Sequence, residues 1–105
     1  MAKNTPFSDI TVLDFSRYLP GGYATQVLAD LGATVIKVED TGLGDFMRHD
    51  YPTKGGGISY YITALGRNKK SVSLNLKNEE VVDWFLKMAQ EADIIVESFR
   101  PGVTA

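Results

Sequence analysis

Four cations with no acid among them lie in the stretch RNKKSVSLNLK, residues 67–77, of a chain whose formal charge is only −2. Lys and Arg side chains gathered in this way suit an anion, above all a phosphate, because they give it charge-assisted hydrogen bonds. A solvated turn explains the same cluster equally well. The residues alone leave both interpretations open.

The chain lacks residues that several other kinds of site require. The chain has no cysteine, which removes disulfides, thiolate metal sites and a cysteine nucleophile. His49 is the single histidine, so we predict no metal site. Ser16 has no GxSxG context and no histidine close in sequence, which argues against a serine hydrolase.

A dinucleotide site remains as an alternative. Gly21 and Gly22 follow a predicted strand, where they could free backbone N–H groups for a phosphate or simply form a tight turn. Glu39 comes 17 residues after Gly22 and resembles the ribose-binding acid of dinucleotide folds. The GxGxxG pattern is missing, however, and this weakens the hypothesis.

The bulk properties describe one domain or part of a larger one. A pI near 5.3 argues against a broad nucleic-acid surface. The 105 residues contain no apolar run near the ~20 residues that a membrane span requires, and residues 1–8 lack the apolar core of a signal peptide. We predict a cytoplasmic protein that binds neither nucleic acid nor a membrane.

Hydrophobic periodicity predicts the elements that would position an anion site. Residues 10–15, 34–38, 71–76 and 93–97 are typical of strands, and residues 40–57 of a long loop. Three helices are predicted between them from apolar stripes, and Asn78 should cap the third. The stripes are Ala24, Val27, Leu28 and Leu31; Ile58, Tyr61, Ile62 and Leu65; and Val82, Phe85, Leu86 and Ala89. The order β-α-β-loop-α-β-α-β favours an α/β fold with a parallel sheet flanked by helices.

Ligands of such sheets bind beyond the carboxyl ends of the strands. Three of the four predicted ends carry a cation within three residues, namely Arg17, Lys77 and Arg100. We therefore expect a positive rim along this edge. Asp14 lies inside a strand and is expected to be structural, and Arg48 is equally explained by a loop ion pair.

Four motifs in series resemble one family. The motifs VLDFSRYLPGGYATQVLADLGATVIKVED, GDFMR, ALGRNKKSVSLNLK and ADIIVESFRPGV are similar to the N-terminal part of the family III CoA-transferases, which include formyl-CoA and carnitine-CoA transferases and α-methylacyl-CoA racemases. The resemblance implies a Rossmann-like fold, interlocked homodimers, a CoA thioester as substrate and no covalently bound cofactor. Residues 1–105 would be the N-terminal CoA-binding part, incomplete relative to the family.

The resemblance also implies which residues contact CoA. Two stretches would flank its nucleotide end, and the rim argument adds four further cations. The stretches are Leu74, Asn75, Leu76 and Lys77, and Ser98, Phe99 and Arg100; the further cations are Arg17, Lys37, Arg48 and Lys70.

The chain departs from the family at three points. Asp40 stands where many members have an Arg that holds a CoA phosphate, and Ser98 where many have Asn. The family's catalytic Asp, which attacks the thioester and leads through a mixed anhydride to an enzyme-bound thioester, lies beyond residue 105. We therefore predict no catalytic residue in this chain and no turnover by it alone. The alternatives are a non-catalytic truncated product and a nucleotide-binding Rossmann module unrelated to CoA.

Overall fold

A computed structural model describes residues 5–42, 53–54, 58–59 and 64–102. Four strands form one parallel sheet in the order β5-β2-β1-β6: β1 Thr11–Phe15, β2 Thr34–Glu39, β5 Lys69–Ser73 and β6 Ile94–Glu97. The short strands β3 Thr53–Lys54 and β4 Ile58–Ser59 pair antiparallel as a separate ribbon. Two helices have both ends within the described residues, α1 Tyr18–Asp30 and α2 Glu79–Glu91, and Ala64 and Leu65 are also helical. The predicted α/β class and parallel sheet are confirmed.

The two helices cover opposite faces of the sheet. Ala29 of α1 packs in a cluster with Val12 and Val35, whereas Phe85 of α2 packs with Leu13 and Val38. Because successive strand residues point to opposite faces, the two inner strands β1 and β2 each supply both clusters. These two strands are largely buried, whereas the edge strands β5 and β6 remain partly exposed.

The chain reverses direction beside β1. It moves outward from β1 to β2 and β5, and then returns through α2 to place β6 on the other side of β1. The carboxyl ends of β1 and β6 therefore meet at a topological switch point, where open α/β sheets leave a crevice. Residue 16 follows β1 and residue 98 follows β6.

The apolar stripe predicted for α1 is wrong at three of its four positions. Ala24, Val27 and Leu31 are exposed, as is Tyr23 beside them at 64%, and only Leu28 packs against the core. The helix instead turns Thr25 and Ala29 toward the sheet. The reason is that the sheet beneath the N-terminal half of α1 carries polar side chains, so a hydroxyl on this helix face fits better there than a methyl group.

Other predicted boundaries need smaller corrections. Ile58 and Ser59 lie in a strand, so the helix predicted to start at Ile58 does not start there. Strand β5 begins at Lys69, two residues early, and Gly21 and Gly22 lie inside α1 rather than in a turn before it. The N-cap at Asn78 is confirmed, with its Oδ1 accepting from the backbone N–H of Glu80 at 2.9 Å. Gly32, which follows α1, has a positive φ of 106°, a conformation that glycine favours after the end of a helix.

Candidate functional site

A cavity of about 310 Å³ opens at the carboxyl edge of the sheet. Its walls come from the ends of β1, β2, β5 and β6, and they combine apolar side chains with two cations and two acids. The lining residues are Phe15, Arg17, Val38, Glu39, Asp40, Leu74, Asn75, Leu76, Lys77 and Phe99. We call this the carboxyl-edge cavity.

An Asx turn places Lys77 at the mouth of the cavity. The side-chain oxygen of Asn75 accepts from the backbone N–H of Lys77 at 3.1 Å, and the Asn75 carbonyl accepts from the N–H of Asn78 at 3.1 Å. Leu74 donates its N–H to the carbonyl of Glu39 at 2.9 Å, which extends the pairing of β2 and β5 to the edge. The turn follows from Asn chemistry, since Asn side chains readily bond the backbone two residues on.

Aromatic rings form one wall of the cavity. The rings of Phe15 and Phe99 lie 5.4 Å apart, and Phe85 meets Phe15 edge-on at 5.3 Å. The Arg17 guanidinium carbon stands 5.8 Å from the centre of the Phe99 ring. An aromatic ring with a cation above it suits a nucleotide, because a base stacks on π faces and a phosphate bonds to the cation.

Arg17 is fixed at the switch point by β6. Its backbone N–H donates to the Ser98 hydroxyl at 3.1 Å, which ties the end of β1 to the end of β6. Its guanidinium also pairs with Asp40 at 3.6 Å. Three strand ends therefore meet at this one side chain.

A buried polar network supports the segment from β1 into α1. The Asp14 carboxylate accepts from the Ser16 N–H at 3.0 Å, the Ser16 hydroxyl at 2.5 Å and the Thr25 hydroxyl at 2.6 Å. The Lys69 ammonium lies 3.6 Å from the same carboxylate and donates to the Gly22 carbonyl at 3.0 Å. The two acceptors are the Asp14 carboxylate, near the end of β1, and the Gly22 carbonyl, near the start of α1.

The structure brings six of the predicted contact residues together around the carboxyl-edge cavity. Ser98 lies directly behind Arg17, and Arg100 follows Phe99 in an exposed position outside the lining. The six are Arg17, Leu74, Asn75, Leu76, Lys77 and Phe99.

Two of the predicted cations, Lys37 and Lys70, lie elsewhere. Lys37 is buried at 3% exposure beneath α1, with its ammonium 3.5 Å from the Ser16 carbonyl. Lys70 lines a separate cavity of about 510 Å³ at the amino edge of the sheet, together with Thr5 and Asn68. Arg48 lies outside the described residues.

The cation-rich stretch is therefore divided among several roles. Arg67 pairs with Asp30 at 2.7 Å, and Lys69 is buried against Asp14. Lys70 points to the amino edge, and Lys77 alone of the four lines the carboxyl-edge cavity. Alternation along β5 separates Lys69 from Lys70, because adjacent strand residues point to opposite faces, while Arg67 precedes the strand and Lys77 follows it.

Sequence reasoning missed the buried network around Asp14 and two residues that line the carboxyl-edge cavity. Thr25 and Lys69 gave no local signal, since their partner Asp14 lies 11 or more residues away. Phe15 and Val38 end predicted strands, and that position could have identified them as lining residues.

The described part of the chain holds no cluster of three or more residues suited to a metal ion. Within the same residues, neither helix has the length and apolarity to cross a membrane.

Comparison with known proteins identifies the family. The family model of CoA-transferase family III matches residues 7–105. The chain belongs to CoA-transferase family III. Over 99 residues it is 43% identical to formyl-CoA:oxalate CoA-transferase of Escherichia coli, covering 94% of this chain and 24% of that protein. Over 98 residues it is 43% identical to acetyl-CoA:oxalate CoA-transferase of Acetobacter aceti, covering 93% of this chain and 25% of that protein.

Solved structures of other proteins share the fold. A CAIB/BAIF family protein from Brucella suis superposes with a TM-score of 0.85 at 35% identity, covering 95% of this chain and 27% of that one. A hypothetical protein from Mycobacterium tuberculosis gives a TM-score of 0.84 at 40% identity, with the same coverage. The chain thus spans about a quarter of the length of the relatives that it matches.

Proposed function

We propose that this chain is the CoA-binding N-terminal part of a CoA-transferase, and that the carboxyl-edge cavity receives the nucleotide end of a CoA thioester. The observation that carries the proposal is the convergence of Arg17, Lys77 and the Phe99 ring on one cavity at the switch point of a family III chain. CoA offers this cavity an adenine ring and phosphates.

The cavity and the nucleotide end match in chemical character. The Phe99 and Phe15 rings and the leucines at 74 and 76 supply an apolar surface for adenine. The Lys77 ammonium and Arg17 guanidinium supply charge-assisted hydrogen bonds for phosphate oxygens. Ser98 contributes by fixing the backbone of Arg17.

We further propose that the complete protein transfers CoA between carboxylic acids through an aspartyl thioester, with its nucleophile outside these 105 residues. The enzyme carboxylate would attack the acyl-CoA carbonyl and displace the CoA thiolate, which leaves a mixed anhydride. The thiolate would then attack the enzyme-derived carbonyl of that anhydride, forming the aspartyl thioester and releasing the donor carboxylate. An acceptor carboxylate would take CoA by the same two steps in reverse, which restores the enzyme carboxylate. We also propose that the complete protein forms an interlocked homodimer and is located in the cytoplasm. It rests on family membership, and the chain alone should show no turnover in a transferase assay.

Calorimetric titration of the 105-residue chain with CoA, dephospho-CoA and NAD tests the binding proposal. We expect CoA to bind most tightly, and Lys77→Gln and Arg17→Gln each to weaken it by roughly tenfold, as the loss of one charge-assisted bond implies. Lys87→Gln is the matched control, because Lys87 is exposed on α2 and lies outside the lining.

A preference for NAD would favour the alternative, a nucleotide-binding Rossmann module. One observation supports that alternative: Asp40, with 62% of its side chain exposed, follows β2, where dinucleotide folds carry the acid that bonds ribose hydroxyls. Equal weakening by Lys77→Gln and Lys87→Gln would reject the cavity as the binding site.

A further inference from the structure

We propose that Asp40 is a specificity-determining residue whose carboxylate acts as an exchangeable counter-ion for Arg17. An anionic group of the ligand takes the place of this carboxylate at the guanidinium. The inference rests on the proposed binding of a CoA nucleotide in the carboxyl-edge cavity, and it adds that the chain's own acid competes with the ligand there.

The ion pair of Arg17 and Asp40 is loose enough to exchange. The nitrogen–oxygen distance is 3.6 Å, whereas a charge-assisted hydrogen bond measures about 2.7–2.9 Å. Both side chains are open to solvent, at 32% and 62% exposure, so water and salt screen their attraction. A phosphate has oxygens spaced to meet a guanidinium at two points, and a closer bidentate contact would replace this longer one.

Arg17 has other contacts that would hold it in place during the exchange. Its backbone N–H bonds the Ser98 hydroxyl, and its guanidinium stands above the Phe99 ring. The Phe99 ring in turn packs against Phe15. The guanidinium would therefore remain at the cavity when the carboxylate leaves it.

The neighbouring acid is unsuited to this role. Glu39 is only 7% exposed, and its carboxylate accepts from the Ser71 hydroxyl at 2.6 Å. Its charge is thus engaged within the sheet. Asp40 is the acid that a ligand entering the cavity would meet together with Arg17.

A carboxylate in this position lowers the affinity for negatively charged ligands. Each phosphate that approaches Arg17 also approaches Asp40. The acid therefore weakens the binding of a highly charged ligand more than that of a less charged one. Asp40 should therefore narrow the preference of the chain for CoA over dephospho-CoA, which lacks the 3′-phosphate. Removing the acid should widen that preference.

Titration of wild type, Asp40→Asn and Asp9→Asn with CoA and dephospho-CoA tests the inference. At low ionic strength we expect Asp40→Asn to tighten CoA binding roughly two- to fivefold, the range of an exposed charge interaction. Dephospho-CoA should gain less. Asp9→Asn removes an exposed acid outside the lining of the cavity and should change neither affinity. An unchanged melting temperature would show that the variants are folded.

The outcomes separate the inference from the proposed function. If wild type binds CoA and Asp40→Asn binds it equally well or more weakly, the counter-ion role is rejected while the CoA site stands. Weaker binding would mean that Asp40 bonds the ligand directly. If neither protein binds CoA, both proposals fail. Binding gained only in Asp40→Asn would support the inference in its strongest form.

Discussion

The carboxylate of Asp14 and the ammonium of Lys69 lie 3.6 Å apart, and their side chains are 0% and 2% exposed. Asp14 belongs to the central strand β1 and Lys69 to the edge strand β5, with β2 between them. The pair therefore spans three strands beneath α1. Taking two charges out of water costs several kcal/mol each, and their attraction with the surrounding hydrogen bonds must offset that cost.

Replacement of Lys69 by Met should destabilise the fold strongly. The variant keeps most of the side-chain volume but leaves the Asp14 carboxylate without its buried counter-ion, which costs about 3–5 kcal/mol when a buried pair is broken. Urea unfolding measures the loss. Lys70→Met is the control, since Lys70 is exposed on the same strand and should change the unfolding free energy by less than about 0.5 kcal/mol. Equal effects of the two variants would contradict a structural role for the pair.

Replacement of Thr25 by Val should remove one donor from the same carboxylate. The hydroxyl lies 2.6 Å from Asp14 and is fully buried, so we expect a loss of about 1–3 kcal/mol of unfolding free energy. Thr25→Ser keeps the hydroxyl and should retain more stability than Val. Chemical denaturation of the two Thr25 variants provides the comparison. A valine variant more stable than the serine variant would refute the importance of this hydrogen bond.

Replacement of Gly21 by Ala should displace the start of α1. An added Cβ would overlap the Cβ and Oγ of Ser16, so either Ser16 or the helix must move. We expect a loss of about 1–3 kcal/mol from overpacking and weaker CoA binding, because Arg17 adjoins Ser16. Thermal unfolding and calorimetry measure the two effects. Gly42→Ala should change neither, since a Cβ there meets nothing within 4 Å.

The Asp30 carboxyl should make stability depend on acid pH. The hydrogen bond from Arg67 is the main cause that lowers its pKa below the ordinary value of 3.8, with further hydrogen bonds from Asn68 and Gln26. A lowered pKa in the folded state stabilises the protein above the unfolded value, and this contribution is lost as the pH falls through the folded value. Wild type should therefore exceed Asp30→Asn in stability at pH 6, and the gap should close below pH ~4. A gap of constant size between pH 6 and pH 2 would rule out this linkage.

Asn78 should contribute to the start of α2. Its side chain accepts from the N–H groups of Glu80 and Val81 at 2.9 and 3.4 Å. Asn78→Ala should cost about 1 kcal/mol of unfolding free energy, and Asn78→Asp should cost little because Asp also caps. Guanidinium unfolding would measure both variants. An alanine variant as stable as wild type would show that tertiary packing alone holds this helix end.

The sheet was predictable because its strands carry local patterns. The apolar run 10–15 and the alternation in 71–76 identified strands without knowledge of their neighbours, with errors of one to three residues at the ends. Helix α2 was predictable for the same reason, with a cap at Asn78 and Phe85 at the centre of its buried face. Its Leu86, however, is 53% exposed, although the stripe placed it inside.

Helix α1 shows why local pattern fails where a polar interior lies beneath. The apolar residues of α1 stand at helical spacing, but the sheet offers Asp14 and Lys69 to the N-terminal half of the helix. Burial of Thr25 satisfies those groups, and burial of Val27 would not. The partners lie far apart in sequence, so no window along the chain could reveal them.

The cavity was partly predictable from strand order alone. Parallel strands bring their carboxyl ends to one edge, and Arg17 and Lys77, predicted there on that ground, line one cavity, whereas Arg100 lies outside its lining. Which cations reach that edge depends on which way each side chain points from its strand. That dependence explains why Lys37 lies beneath α1 and Lys70 at the amino edge.

The outward face of α1, with Tyr23, Val27 and Leu31 in contact with solvent, has a practical consequence for handling this chain. A formal charge of −2 provides little mutual repulsion between molecules near neutral pH. In concentrated solutions the protein molecules should therefore attract one another. The light that they scatter should then increase faster than their concentration. Replacing Tyr23 and Val27 with glutamates would extend the shelf life of a purified sample without disturbing any contact beneath the helix.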